Sequence, residues 1–246
     1  MGREGIGPLV ELRNYALRPA AAAAFVEHFE RHLLASQEAH GMDVVGQFTV
    51  PGDDARFVWV RRYRRPSARG AALRAFYSGP VWAEHGPRAN ELMLDHTDVH
   101  LLAPDPSGPP FAARHRPHGE RTEPEADRLG GAGRGPASTV VAALYDVDGS
   151  DRRPAGAWPA ALAAAADATS PARADAGVTE LGRLATARVP NDFARLPVHD
   201  DPVAVWLLAD TADGDAGVAA AEAVAAHPGG AVRTIRLTPT PRSTLR

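Results

Sequence analysis

The order of the predicted strands and helices, which repeats once along the chain, constrains the fold most. Residues 9–15 have the branched and aromatic content of a strand. Pro19 predicts the first turn of a helix that ends at Gly41, because proline is tolerated at a helix start and glycine is favoured just beyond a helix end. A hairpin of strands at 42–50 and 57–63 follows. Next come a helix at 68–77, which Gly79-Pro80 breaks before a short helical continuation to Met93, and a closing strand at 98–103.

The second half repeats this order with little sequence similarity to the first. Its predicted elements are a strand at 139–147, a helix at 158–168, strands at 177–187 and 203–209, a helix at 216–227 and a strand at 231–237. Each half therefore has the β-α-β-β-α-β order of a ferredoxin-like unit. We predict an α+β protein with two tandem ferredoxin-like units, whose sheets can pack into a closed barrel and so protect their edges.

Residues from about 104 to 138 are rich in proline, glycine and charge, which is typical of a linker. The sequence therefore predicts an N-terminal domain over 1–103, a linker over 104–138 and a C-terminal domain over 139–246.

Composition excludes several classes of function. All 27 basic residues are arginine, against 30 acidic residues, and the net charge of −3 disfavours a nucleic-acid partner. With no cysteine there is no disulfide, no thiolate catalysis and no cysteine-based metal site; with no lysine there is no Schiff base at lysine. No apolar run approaches the roughly 20 residues that span a bilayer. We expect a cytoplasmic protein, and the arginine, alanine, glycine and proline excess is typical of a high-GC bacterial genome.

Several stretches of the first half resemble the NIPSNAP family. The most specific is Phe76-Tyr77-Ser78-Gly79-Pro80-Val81-Trp82-Ala83-Glu84-His85. The others are VELRNY at 10–15, QE at 37–38, GMDVVG at 41–46 and FVW at 57–59. The resemblance covers about residues 9–103 and implies the dimeric α+β barrel superfamily, in which the barrel forms by tandem repeat or by dimerisation.

The superfamily contains cofactor-free monooxygenases, haem enzymes and small-molecule lyases, so the resemblance does not choose a reaction. Our first hypothesis is an enzyme of bacterial specialised metabolism, using acid–base chemistry on a small organic molecule in a cavity of the N-terminal half. The alternatives are a non-catalytic small-molecule binding or assembly module and a haem- or metal-dependent enzyme. We expect no cofactor in the first case and haem or a divalent metal in the last. A homodimer is a further possibility.

Five polar and aromatic residues share faces of two predicted strands. They are Arg13, Tyr15, Trp59, Arg61 and Tyr63. If this face lines a cavity, the arginines can hold an anionic group of a substrate while the rings, with Trp82, form the walls. If it lies in a packed interior, the same side chains satisfy one another, with Glu11 paired to an arginine.

Histidines are the other candidates. His85 lies in the most family-like stretch and can act as a general base. His28 and His32 lie one helical turn apart and can share a metal ion, or they are solvated surface residues. Asp95, His96, Asp98 and His100 resemble a ligand cluster, but alternation along a strand would turn them to opposite faces, so we expect surface polarity there.

Overall fold

The computed structural model describes residues 7–111, 138–146, 158–210, 215–228 and 232–245. Within these ranges the predicted element order occurs twice. The strands are β1 (Leu9–Leu17), β2 (Asp43–Val50), β3 (Asp53–Tyr63), β4 (Met93–Pro104), β5 (Val140–Asp146), β6 (Val178–Thr186), β7 (Val203–Asp210) and β8 (Val232–Pro239). The α-helices are α1 (Ala22–His28), α2 (Leu34–Ala39), α3 (Arg69–Tyr77), α4 (Pro80–Leu92), α5 (Trp158–Asp175) and α6 (Asp215–Ala226).

The strands form one closed barrel in the order β1-β3-β2-β8-β5-β7-β6-β4. Each half contributes four strands in the order of a ferredoxin-like sheet. The halves join where β2 pairs with β8, at Phe48 and Pro239, and where β4 pairs with β6, at Leu102 and Thr186. The predicted fold class is confirmed, and a single chain closes the barrel without a second copy.

Alternation along the strands separates two layers. On β1, Val10 and Leu12 join an apolar core that draws on both halves and fills the barrel interior. Leu9 and Tyr15, which face the other side of β1, pack instead with the first-half helices. Because Glu11 and Arg13 have the same parity as Leu9 and Tyr15, they lie on the outer face of the barrel, under the helices.

The first helix begins later than Pro19, which corrects the sequence-based expectation. The amide of Ala21 donates to the carbonyl of Arg18 at 3.0 Å, and Ala20 has a φ of 59°. Proline at the second position and a positive φ at the third are typical of a type II turn. Pro19 therefore serves a tight turn, and the helix starts at Ala22.

A π-helical turn (Phe29–Leu33) lies between α1 and α2 and changes the face that the helix buries. Regular spacing from Phe25 and Phe29 places Ser36 and His40 on the buried face. The π turn widens the ring of the backbone hydrogen bond by one residue, so Leu34 and Gln37 are buried instead, while Ser36 and His40 are half-buried.

Strand β4 begins at Met93, earlier than expected, and therefore includes Asp95 and His96. Most of the predicted linker, residues 112–137, lies outside the described residues, so the linker and the domain boundaries stay predictions. Among the described helices, none is both long and apolar enough to cross a membrane.

Gly41 ends α2 with a φ of 80°, and space for a Cβ atom is open there. We expect Gly41→Ala to lower the free energy of unfolding by about 1–2 kcal/mol, because the left-handed conformation strains a side-chain-bearing residue. Gly41→Asn should lose less, since asparagine visits this conformation more readily. Urea denaturation measures both; equal stability of Gly41 and Gly41→Ala would contradict this conformation.

Candidate functional site

A buried cluster of three arginines surrounds the carboxylate of Glu11 on the outer face of the barrel. Arg13 Nη1 lies 3.1 Å from Glu11 Oε2, Arg61 Nε donates to the same oxygen, and Arg69 Nε lies 2.5 Å from Oε1. The side chains of all four residues are at most 1% exposed. We call these four residues the arginine cluster.

The register of two strands and the start of α3 bring the cluster together. Glu11 on β1 lies opposite Arg61 on β3, and Arg13 lies opposite Trp59. Arg69 is the first residue of α3. Gln37, turned inward by the π turn, accepts a hydrogen bond from Arg61 Nη1 at 3.0 Å.

The cluster holds three guanidinium groups against one carboxylate. Burial by itself raises the pKa of Glu11, but the charges of Arg61, Arg13 and Arg69 outweigh it and lower this pKa from 4.5 to about 2. Glu11 is therefore an ionised counter-charge at neutral pH and not a proton donor. The surplus positive charge is partly met by Asp192, whose Oδ1 lies 2.8 Å from Arg69 Nη1 and whose side chain is 36% exposed.

Several buried donors of the cluster have no hydrogen-bond partner among the described residues. These are Nη2 of Arg13, Arg61 and Arg69, with the Tyr63 hydroxyl and the Trp59 indole nitrogen beside them. Buried polar groups in folded proteins are almost always paired, so an accumulation of free donors in one place indicates a site that accepts a ligand oxygen or water.

Aromatic rings enclose the two strand arginines. The guanidinium carbon of Arg13 lies 5.4 Å from the Trp59 ring centroid, and that of Arg61 lies 5.1 Å from it. Arg13 Nε donates to the Tyr15 hydroxyl at 2.8 Å. Burial, followed by the charge of Tyr15, raises the pKa of Tyr77, and the charge of Arg61 opposes this shift. Cations over ring faces are stabilised by the ring quadrupole, which holds both arginines in place.

The connection between β6 and β7 covers this region from the second half of the chain. Asn191 Oδ1 accepts from Arg69 Nη1 at 2.9 Å, and Asp192 Oδ2 accepts from the amide of Gly70 at 2.8 Å. Phe193 stacks on Tyr77 with ring centroids 5.6 Å apart and an interplanar angle of 17°. We call residues 187–199 the cover segment.

The three candidate histidines form a second group. The rings of His32 and His85 stack with centroids 4.0 Å apart, and His28 Nε2 lies 2.9 Å from the backbone carbonyl oxygen of His85. Desolvation, followed by the charges of His85 and His28, lowers the pKa of His32. One ring nitrogen of His28 therefore contacts the backbone, and the lowered pKa of His32 favours its neutral form.

The structure thus brings five of the predicted residues together: Arg13, Tyr15, Trp59, Arg61 and Tyr63. Trp82 lies one layer away, with its ring centroid 4.6 Å from that of Tyr77. His85 is one helical turn beyond Trp82 on α4, on the same side of the helix.

Sequence reasoning missed Arg69, Gln37, Tyr77 and Asp192. Tyr77 and Gln37 both stand in family-like stretches, which were usable signals, although the burial of Gln37 depends on the π turn. Asp192 lies about 120 positions from Arg69, so no local pattern relates Asp192 to Arg69.

Residues 10–109 match the NIPSNAP family model. This part of the chain is therefore similar to the NIPSNAP family. A NIPSNAP-like domain protein from Burkholderia xenovorans is 27% identical and covers 46% of this chain and 98% of its own, with a TM-score of 0.41. The sequence has no match among curated proteins.

Other solved structures resemble both halves. A candidate monooxygenase from Lactobacillus acidophilus is 9% identical and covers 95% of this chain and 94% of its own, with a TM-score of 0.53. An anthrone oxidase-like protein is 15% identical and covers 97% of this chain and 94% of its own, with a TM-score of 0.51. At these identities the likeness shows the fold alone, a tandem barrel whose first half is the NIPSNAP-like part of this chain.

Glu11→Gln preserves the shape of the central side chain and removes its charge. We expect the free energy of unfolding at pH 7 to fall by about 3–5 kcal/mol, because three buried guanidiniums lose their counter-charge. Glu27→Gln is the control: its exposed pair with Arg31 should contribute about 0–1 kcal/mol. Chemical denaturation of both variants measures the difference, and equal losses would contradict the central role of Glu11.

The lowered pKa of Glu11 also predicts how the free energy of unfolding depends on pH. Because folding lowers the pKa of Glu11 from 4.5 to about 2, its contribution is present above pH 4.5 and is lost as the pH falls toward 2. Glu11→Gln should therefore lose less stability than the unmodified chain across this window. Parallel stability curves for the two proteins would show that Glu11 does not carry the effect.

Proposed function

We propose that the N-terminal half binds a small organic anion with an aromatic or apolar body at the arginine cluster, and that the protein is an enzyme acting on this molecule. The observation that carries the proposal is the surplus of buried positive charge. Three guanidiniums share one carboxylate, and each retains an Nη2 that has no partner within the described ranges. A carboxylate or enolate supplies both the missing charge and the missing acceptors.

The walls and the cover segment fit such a ligand. The Nη2 groups of two arginines can each donate to one oxygen of a carboxylate, and Trp59, Tyr15 and Tyr63 offer ring faces and hydroxyls beside them. Since the arginines are fully buried, a ligand enters when the cover segment moves. Asn191 and Asp192 already place side-chain oxygens on Arg69 and so occupy the position of an anionic group.

The histidine group supports the enzymatic part of the proposal. Desolvation and the neighbouring His85 ring, 4.0 Å away, lower the pKa of His32, which favours a neutral imidazole able to accept a proton. Trp82, one helical turn before His85 on α4, packs against Tyr77 with ring centroids 4.6 Å apart. Oxidation of an organic substrate is one reaction to assay, since two of the full-length structural relatives bear oxygenase-type names.

The alternatives rest on other observations. A binding or assembly module is favoured by the closed packing of the cluster, in which Glu11 pairs with three arginines. Metal binding by His28 and His32 requires His28 to use the ring nitrogen not directed at the backbone of His85. Haem would need one histidine ring nitrogen as its axial ligand, and His28 Nε2 is instead directed at the backbone carbonyl of His85. A homodimer also remains a proposal, since one chain already closes the barrel.

Anion binding can be tested with a panel of aromatic and aliphatic carboxylates, each paired with its uncharged amide. We expect saturable binding of at least one acid, such as benzoate, and at least tenfold weaker binding of its amide, because only the acid neutralises the surplus charge. Isothermal titration calorimetry on the full chain measures both. Arg13→Met should weaken the acid at least tenfold, while Arg31→Met, at an exposed arginine, should leave it unchanged. A panel without any acid–amide difference would refute the proposal.

The histidine group predicts a titration effect that needs no substrate. His85→Ala should raise the pKa of His32, because the positive charge of His85 contributes to lowering it. NMR titration of the imidazole protons measures this pKa, with His40→Ala as a control outside the stack. If a panel acid is turned over, for instance with oxygen consumption, His85→Ala should abolish turnover and retain binding. Undiminished turnover would remove His85 from the chemistry.

A further inference from the structure

A second polar group lies at one end of the barrel interior, on the opposite face of the strands that carry the arginine cluster. It consists of Asp98 and His100 on β4 and His199 from the cover segment. His100 Nε2 and His199 Nε2 each lie 3.4 Å from Asp98 Oδ1. The two imidazoles are stacked with centroids 4.9 Å apart. The expectation that Asp98 and His100 are surface polarity is wrong for His100, which is 8% exposed.

The spacing of these atoms matches a metal site. Ligand atoms bonded to zinc at about 2.0–2.1 Å in tetrahedral geometry are about 3.3–3.4 Å apart. The distances from Asp98 Oδ1 to Nε2 of His100 and to Nε2 of His199 are both 3.4 Å. The three possible ligand atoms all lie within 4.8 Å of one another. One ion can therefore reach all three side chains with little rearrangement.

The surrounding residues hold the carboxylate in the orientation that this requires. Asn14 Nδ2 donates to Asp98 Oδ2 at 2.8 Å, which leaves Oδ1 turned toward the histidines. Arg56 Nη1 donates to Asn14 Oδ1 at 3.2 Å and so fixes the amide. Such outer hydrogen bonds orient the ligands of metal sites.

Backbone pairing places the third side chain. The amide of His199 donates to the carbonyl of Val99 at 2.8 Å, so the cover segment returns to β4 between Asp98 and His100. Because Val99 separates these two residues on the strand, this single contact sets the imidazole of His199 beside both. The side chain of His199 is 43% exposed, which leaves a path for an ion from solvent.

A further observation leaves room for a water beside the group. His100 Nδ1, which metal binding through Nε2 would leave free, is buried and has no hydrogen-bond partner in the described part of the chain. A cavity of about 10 Å³, which Asp98 and His100 help to line, adjoins the group. That volume is about what one water molecule needs. The guanidinium of Arg233 also borders this cavity and opposes a cation, so we expect moderate affinity.

We propose that Asp98, His100 and His199 bind one divalent transition-metal ion of the zinc class at the barrel mouth. Two imidazoles and one carboxylate leave a coordination position open, as in metal sites that hold a water or a substrate, whereas purely structural zinc sites use four protein ligands. This site is separate from the arginine cluster, and neither proposal depends on the other.

The test is titration of metal-free, full-length protein with Zn²⁺ by calorimetry and with Co²⁺ by visible absorption. We expect one ion per chain, visible Co²⁺ bands of four- or five-coordinate geometry and a higher Tm with Zn²⁺. His199→Ala and Asp98→Asn should each lower the affinity at least a hundredfold. His199 is in a half-exposed connection, so circular dichroism should show that its variant stays folded.

Asn14→Ala should weaken Zn²⁺ binding about 10–100-fold without abolishing it, because Asn14 orients Asp98 through a hydrogen bond. His32→Ala is the matched control, since it removes an imidazole from the other histidine group, and it should leave the titration unchanged. The proposal is overturned if Zn²⁺ does not bind, which would leave simple His–Asp ion pairs. It is equally overturned if binding survives His199→Ala and Asp98→Asn but is lost in His32→Ala.

Discussion

The arrangement of the first half depends on one interaction under its helices, the pairing of the ionised Glu11 carboxylate with buried arginines. Removing a guanidinium from water carries a large desolvation penalty, which is offset only by a counter-charge with good geometry. Three arginines from β1, β3 and α3 share this carboxylate. Helix α3 therefore has to begin where Arg69 reaches this carboxylate, and the cover segment has to bring Asp192 to the guanidinium of Arg69.

The two halves of the barrel share a topology but divide the roles. In the second half, the face of the sheet under the helices is filled by apolar side chains such as Val141, Ala143 and Leu208. That layer is stabilised mainly by the burial of apolar side chains, and its ion pair between Arg173 and Glu180 joins α5 to β6. The second half instead contributes Asp192 and His199 through the cover segment, so it completes two polar groups of the first half.

Local sequence patterns predicted the parts of this structure that depend on alternation and on turn residues. Glu11, Arg13 and Tyr15 share a face because a strand has a period of two, and the register of β1 with β3 places Trp59 and Arg61 beside them. Gln37 was not predictable from a period of 3.6, because the π turn changes the phase of the helix. Asp192 and His199 lie in a long connection whose path is set by pairing with β4, and sequence periodicity does not encode such contacts.

The error at His100 has a physical reason that concerns the shape of the barrel. Inward-facing residues change from apolar to polar along each of two neighbouring strands: Val10, Leu12 and Asn14 on β1, and Leu102, His100 and Asp98 on β4. Because these strands are antiparallel, their polar ends meet at one barrel mouth. Asn14 stands between Arg13 and Tyr15 in sequence and faces the opposite way. A one-residue slip of β1 would therefore exchange the residues of the barrel mouth with those of the arginine cluster, and the need to satisfy both groups fixes the register.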